Sequence, residues 1–463
     1  MQFKLNSFLV LIPILLFIGC KTDKKSEPIF FGGQIKNPKT STVFIFKGDK
    51  EIAKASLSRE NEFEFKLDSL KTGLYTFKHG KEYQYFFIEP KDSLLIRLNT
   101  WDFDESLVFT GKGAERNNFL LQLFLENERE EKLFFNYFGL DETAFISKAD
   151  SLLQLKKLLF KQFKAGTSRQ SSLFSDLIKM AINFPIYSNK EKYALQYKHK
   201  NNLKSLPKLS DSFYSFRDKE ILKKTDFNNY YLFENYLWYS VYNKALHKKE
   251  LDDTYQLSTF LLKEISKNVS DKKIQNTMLQ QVFISSLLDE SCGNHDKKLA
   301  KQLFFDHCTD DDCIKEVKDL LSVVETLKKG SEFPKLIVQN IKGKSVELSR
   351  AFTKGTVLYF WPKELSRIEN MSKRVLYLTA KFPNIRFIGI DAQLDKRDWR
   401  EYVHKNKFPE RNQFRISKAK NSYFTNGIPR AVLIDKKGII KSDYTYLTQK
   451  SFEDKLAILE NNN

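Results

Sequence analysis

Residues 355–361 are a run of apolar and β-branched side chains that closes on Phe360-Trp361-Pro362, and the pattern after it turns helical. An apolar run of this length with no alternation reads as a strand buried on both faces, and such strands belong to sheets covered by helices. The segments that follow keep the same logic. Helical spacing covers 365–381, the apolar strand IRFIGID covers 385–391, and a second helix is expected over 396–406. A short strand at 414–417 precedes Gly427-Ile428-Pro429, after which 430–435 and 439–441 form strands joined by the turn Lys436-Lys437-Gly438. A helix over 452–459 closes the chain, and strands at 335–338 and 344–348 open the segment. Strands alternating with helices predict an α/β sheet containing parallel pairs.

A strand ending in Phe-Trp, a helix, a β-α unit and then Gly-Ile-Pro before an apolar strand resembles the TlpA-like periplasmic thiol–disulfide reductases. The resemblance covers residues 330–463 and implies an α/β thioredoxin-like domain. In that family a Cys-x-x-Cys pair follows Phe-Trp at the first turn of the helix. Counted without gaps from Phe360-Trp361, the two cysteine positions fall here on Leu365 and Ile368. No cysteine lies in this part of the chain, so the resemblance brings the fold without the dithiol. By the same resemblance Pro429 matches the family's cis-proline, and Trp361, Pro362, Ile428, Pro429 and Arg430 would line a groove for a bound peptide. In active relatives the helix N-terminus stabilises the thiolate of the first cysteine. Leu365 and Ile368 can supply neither a nucleophile nor a resolving thiol. Ser366 is expected to cap or face solvent, and His404 to sit on a solvated helix face.

The N-terminus reads as an address. Lys4 precedes an apolar run over 8–18 that is too short to span a bilayer comfortably, and Phe17-Ile18-Gly19-Cys20 is similar to a bacterial lipobox. The expectation is a lipoprotein signal peptide over 1–19, lipid attachment at Cys20, and a polar tether over 20–28. Each methylene buried in the bilayer contributes about 0.8 kcal/mol, so two or three acyl chains hold a protein stably. This implies a periplasm-facing lipoprotein of the cell envelope, on the outer rather than the inner membrane.

From 29 to 111 the apolar period is close to two. Phe63, Phe65 and Leu67 alternate with Glu62, Glu64 and Lys66, and similar strands are expected at 42–46, 74–77, 83–88, 94–98 and 107–110. Gly48-Asp49, Asn61, Gly73, Gly80 and Pro90-Lys91-Asp92 mark turns. A small antiparallel β-sandwich is predicted. Gly33-Gln34-Ile35-Lys36-Asn37, Gly73-Leu74-Tyr75, 88–94 and 109–113 are similar to a domain of unknown function that precedes thioredoxin-like domains in lipoproteins of Gram-negative bacteria. It carries no catalytic constellation and reads as an interaction or spacer module.

From 112 to 329 the period becomes 3.6 and an all-α region is expected, with helices near 114–136, 142–165, 172–183, 212–224, 229–246, 252–268, 272–290 and 296–307 and another after Asp310-Asp311-Asp312. The aromatic cluster over 230–239 reads as core. Cys292, Cys308 and Cys313 lie here with His295 and His307, but their spacings form no recognised zinc pair and no metal or cofactor is expected. Cys292 and Cys308 would sit at opposite ends of one helix, whereas Cys308 and Cys313 flank a turn, so a Cys308–Cys313 disulfide is the expected pairing in an oxidising compartment.

The formal net charge of +19 is spread along the chain among acidic residues, which describes solvated helix faces rather than a nucleic-acid site. Two functions lead, and a third class, carbohydrate or small-molecule binding by the first domain, stays open. One is a redox-inactive thioredoxin-like lipoprotein that binds or scaffolds an unidentified envelope protein or peptide. The other is a thiol–disulfide oxidoreductase using Cys308 and Cys313 or the thiols of a partner. Asp310-Asp311-Asp312 weighs against the second, because negative charge beside a thiol raises its pKa.

Overall fold

The structure, a computed structural model, describes residues 29–67, 70–167, 170–217, 226–289, 291–362, 366–392, 399–416, 431–449 and 451–461. It divides into two compact units whose boundary falls inside a helix. One unit runs to Tyr137 and includes Thr143–Ile186; the other comprises Phe138–Glu142 and everything from Tyr187.

The first unit begins with eight strands: β1 (Ile29–Lys36), β2 (Thr42–Lys47), β3 (Lys50–Ser56), β4 (Glu62–Leu67), β5 (Gly73–His79), β6 (Glu82–Ile88), β7 (Ser93–Asn99) and β8 (Val108–Lys112). They form two four-stranded sheets, β4-β1-β7-β8 and β3-β2-β5-β6. Phe31 of the first sheet packs between Phe77 and Phe86 of the second, at ring-centroid distances of 5.8 and 4.4 Å, so the inner faces share one core. The sandwich is present, but it is not purely antiparallel. β1 runs parallel to β7, with Phe30 opposite Ser93 and Gln34 opposite Arg97. Period-two alternation specifies which face is buried and says nothing about strand direction, so the sequence did not reveal this pair.

Three helices follow: α1 (Ala114–Tyr137), α2 (Glu142–Gly166) and α3 (Ser172–Lys200). Two consecutive asparagines of α1 meet the sheet edges. Asn117 accepts from Phe87 N at 2.6 Å and donates to Phe87 O at 2.9 Å, on β6. Asn118 accepts from Phe109 N at 2.9 Å and donates to Phe109 O at 2.8 Å, on β8. Each carboxamide thus satisfies one residue of an open strand as a neighbouring strand would. Between α1 and α2, Lys156 reaches the buried Glu130 and donates to Asn127 Oδ1 at 2.6 Å. Helix α3 continues through Pro185 to Lys200, where 172–183 was expected. Phe184 and Ile186, both 0% exposed, bury the surfaces on either side of the proline. Packing of this kind offsets the lost backbone hydrogen bond of an interior proline, which by itself costs about 3 kcal/mol.

In the second unit the expected helix over 212–224 does not form over 211–217, which is a run of turns. Its side chains bond to neighbouring helices instead. Arg217 pairs with Glu191 through Nε at 2.7 Å and Nη2 at 2.5 Å, and the Tyr214 hydroxyl lies 3.0 Å from His247 Nε2. Of the helices α4 (Tyr231–Leu251), α5 (Leu257–Asn268), α6 (Lys272–Leu288), α7 (Asn294–His307) and α8 (Asp311–Thr326), the first four pack each on the next, α5 also meets α7, and α8 packs on α6. Tyr230, Phe233 and Tyr236 are buried core residues.

The chain ends in a seven-stranded mixed sheet of order β10-β9-β13-β12-β11-β14-β15, with β9 (Ile337–Asn340), β10 (Ser345–Glu347), β11 (Thr356–Phe360), β12 (Arg386–Asp391), β13 (Gln413–Ile416), β14 (Ala431–Ile434) and β15 (Ile440–Thr445). Its helices are α9 (Ser366–Lys381), α10 (Trp399–Lys405) and α11 (Phe452–Asn461). β11 is parallel to β12 and antiparallel to β14. Alternate residues of β11 enter two different cores: Leu358 and Phe360 on one face, Val357 and Tyr359 on the other. That explains why this strand lacks period-two polarity.

Candidate functional site

Strand β11 delivers the chain to the place where the site was expected. Every residue of the strand is buried, and its carboxyl end leads directly into Trp361 and Pro362. Trp361 is 1% exposed. Its backbone N–H donates to Ile390 O at 2.9 Å and its Nε1 to Gln413 Oε1 at 3.3 Å. Its ring meets Phe408 at 5.4 Å and Trp399 edge-on at 6.4 Å. Trp361 and Pro362, expected to line a groove, are both buried. An indole with its N–H satisfied inside the protein is a core residue that also fixes the strand end.

Ile368, at the position matching the second cysteine, lies in the first turn of α9 and is 1% exposed, in one cluster with Val357, Tyr359 and Trp361. A branched aliphatic side chain there adds to the core. Ser366 opens α9, and Arg367 beside it is exposed. Leu365, Ile428, Pro429, Arg430 and Cys20, the expected point of lipid attachment, lie outside the described residues. His404 is on the exposed face of α10, with Nδ1 3.4 Å from Glu410 Oε1.

Beneath this end of the sheet is a polar row that the sequence reading missed. Tyr359, Gly389 and Gln413 lie side by side on β11, β12 and β13. The Tyr359 hydroxyl donates to Gln413 Oε1 at 3.2 Å and accepts from Gln413 Nε2 at 3.0 Å, passing over Gly389. A Cβ on Gly389 would sit 2.1 Å from Gln413 Oε1 and 2.7 Å from the Tyr359 oxygen. Burial holds the Tyr359 phenol far above its ordinary pKa, so it stays a neutral hydrogen-bonding group. Asp391 ends β12 fully buried, and Arg415 opposite it on β13 brings Nε within 3.1 Å of Oδ2. An arginine two residues after Gln413 was the only available sign that the aspartate closing an apolar strand would have a partner.

The three described cysteines lie in the helical part of this unit. Cys292 and Cys308 flank α7, at opposite ends as expected. Cys308 is the C-terminal cap of α7, its N–H donating to Phe304 O at 2.8 Å. Asp310 then starts α8, its Oδ1 accepting from Cys313 N at 2.8 Å. The expected Cys308–Cys313 bond is not formed in the structure, where both are free thiols. Cys313 Sγ points to Gln280 Oε1 at 3.7 Å, across to α6, and Cys308 Sγ lies 4.0 Å from Asp310 O. Burial raises the pKa of both. Asp310 adds to the rise at Cys313, which is pushed up to about 12. The capping aspartate that starts the helix thus also suppresses the neighbouring thiolate. Among the described residues no group of three His, Cys, Asp or Glu side chains could hold a metal ion, and no helix is long and apolar enough to cross a membrane.

The central parallel pair β11–α9–β12, the antiparallel β14 and β15 on its other side, and the closing helix α11 define a thioredoxin-like domain. It is a thioredoxin-like domain whose 330–463 segment contains no cysteine. No protein-family model and no curated protein matches the chain. Among solved structures it is similar to a thiol:disulfide interchange protein from Bacteroides sp., with 24% identity over 25% of this chain and 81% of that one, at a TM-score of 0.23. It is also similar to the thioredoxin domain of a thiol-disulfide oxidoreductase from Bacteroides vulgatus, with 22% identity over 29% of this chain and 97% of that one, at a TM-score of 0.25. A thioredoxin-like protein from Bacteroides caccae matches over 55% of this chain and 98% of its own, with 14% identity and a TM-score of 0.31. These are likenesses at low identity over part of the chain, and the domain assignment above rests on the sheet order.

Proposed function

We propose that this chain is a lipoprotein of the cell envelope, anchored through Cys20, whose thioredoxin-like domain performs no dithiol exchange and serves to bind or scaffold a protein or peptide. One observation carries the reading: a complete thioredoxin-like core with no thiol between residues 330 and 463. Exchange requires a thiolate to attack and a second thiol to resolve the mixed disulfide. Ile368 occupies a core position where the second would stand, and a leucine at 365 cannot be the first. The segment proposed to meet a partner is Ile428, Pro429 and Arg430, the positions that the family resemblance assigns to the groove. Arg430 would give it a fixed positive charge. The anchor would hold this surface on the periplasmic side of the outer membrane.

A second reading places thiol–disulfide exchange at Cys308 and Cys313, because both are free and border the same turn. Their raised pKa values oppose it, since only the thiolate is a nucleophile.

Insulin reduction in the presence of dithiothreitol separates the two. A soluble form beginning at Ser26 is expected to leave the background rate unchanged. Acceleration that disappears in Cys308→Ser would overturn the binding reading and move the chemistry to the α7–α8 corner. Metabolic labelling with radioactive palmitate tests the anchor: incorporation must be lost in Cys20→Ser, and labelling that survives would refute attachment there.

A further inference from the structure

The outer face of the sheet β4-β1-β7-β8 carries an organised set of side chains. Register places Glu62, Gln34 and Arg97 in one row across β4, β1 and β7. The neighbouring row contains Gly32 and, opposite it, Leu95, which is 45% exposed. Gly32 leaves a dent in the middle of the face, and the half-buried Phe30 ring lies over it. A Cβ at position 32 would stand 3.2 Å from the ring carbons Cε1 and Cζ. The ring is thus pressed toward the backbone by one side and turns its other side outward. Phe30, Gln34, Glu62, Leu95 and Arg97, with Glu64 and, on the β3 edge, Lys54, line a groove of about 990 Å³.

The chemistry of the groove is mixed in a particular way. Phe30 and Leu95 give an apolar platform. Glu62 offers two acceptors, Arg97 offers planar donors, and Gln34 is fixed by its Nε2, which donates to Glu60 O at 3.1 Å. Glu62 and Arg97 are exposed and opposite in sign, so the row favours neither an anion nor a cation. A strand-like peptide would seek unpaired backbone, which the floor strand β1 does not offer because it is paired on both sides; the sheet edges at this groove are those of its walls, β3 and β4. A sugar ring has what this surface complements: an apolar C–H face for the aromatic platform, and a rim of uncharged hydroxyls that both donate and accept.

We propose that this face binds a neutral oligosaccharide, with one sugar ring stacked on Phe30 and its hydroxyls bonded to Glu62, Gln34 and Arg97. The test is affinity electrophoresis of the full chain in gels containing dextran, mannan, xylan or laminarin. At least one polysaccharide is expected to retard the parent. The dissociation constant read from retardation should rise at least tenfold in Phe30→Ala and in Arg97→Ala, while Phe30→Trp keeps or strengthens binding. Hydrogen exchange across β1 and β7 checks that each variant retains the sandwich, and the exposed Arg97 supplies a variant that leaves the core untouched. Absence of retardation by all four polysaccharides overturns the proposal, as does retardation that Phe30→Ala and Arg97→Ala leave unchanged.

Discussion

Replacing Gly389 by alanine adds a single methyl group, and the structure says that this methyl has nowhere to go. It would meet Gln413 Oε1 at 2.1 Å and the Tyr359 oxygen and Cζ at 2.7 Å, inside van der Waals contact with all three. Both neighbours are closed in: Tyr359 is 0% and Gln413 1% exposed. Relief therefore requires Gln413 to swing away or β11 and β13 to part. Overpacking of a core site costs about 1–3 kcal/mol. Moving Gln413 also leaves the Trp361 Nε1–H and the Tyr359 hydroxyl without their acceptor, at about 1–3 kcal/mol per stranded group. The terms overlap, because each is a way of relieving the same clash, so the expected loss is about 3–5 kcal/mol. The assay is hydrogen exchange of the β11 and β12 amides across a urea series, which reads this domain without requiring the whole chain to unfold in one step. In Gly389→Ala/Gln413→Ala the main obstacle is gone, and the double variant should lose less than the sum of the single losses. A loss below about 1 kcal/mol in Gly389→Ala would refute the close-packed row.

Three further outcomes are expected. Lys156→Met strands the Glu130 carboxylate in the interior and should cost the first unit about 3–5 kcal/mol in urea unfolding, while Lys156→Met/Glu130→Met recovers most of it; equal losses would mean that the pair is not coupled. Burial pushes the Asp104 carboxyl up to about 6 from an ordinary 3.8, so its contribution is fully present below the unfolded value and is lost as pH rises through about 6. The ceiling is about 3 kcal/mol, which solvent at this half-buried group reduces to about 1. Asp104→Asn keeps an acceptor for Gln84 Nε2, now at 2.8 Å, and should stabilise by about 1 kcal/mol at pH 7.5 and not at pH 3; the reverse pH dependence would contradict the burial argument. Cys313, pushed up to about 12, exposes only about 10⁻⁴ of its thiol as thiolate at pH 8 and should react with iodoacetamide about a thousandfold more slowly than free cysteine; reaction at the free rate would show that Asp310 and burial do not suppress it.

Much of the thioredoxin-like domain was legible because β11, β12 and β14 are continuous apolar runs. Burial on both faces is written into composition at each position. Most sandwich strands were legible through alternation; the exceptions are Ile29–Lys36, where Gly32 and Gly33 break the period, and Lys50–Ser56, where Lys, Glu and Ala blur it at a sheet edge. The site was harder to read. The resemblance made Trp361 a groove residue, yet it is buried and its indole N–H is satisfied by Gln413, 52 residues away. The Asn117-Asn118 pair carries no helix or strand signal, and its purpose depends on two β-edges brought to it by the fold. The helix expected over 212–224 failed over its described part because Tyr214 and Arg217 find partners on α3 and α4 that a local pattern cannot register.

The sequence alone determined most of the buried strands and amphipathic helices, and that no thiol accompanies the thioredoxin-like core. Those properties are local, since hydrophobic period and residue identity need no partner to be read. Tertiary structure alone decided that β1 lies parallel to β7, that α3 runs through Pro185, and that Gly389 is the gap through which Tyr359 reaches Gln413. Each of these depends on contacts between residues distant in the chain. There the free energy of packing and of satisfying buried polar groups outweighs local propensity, and the partner is named only by the fold.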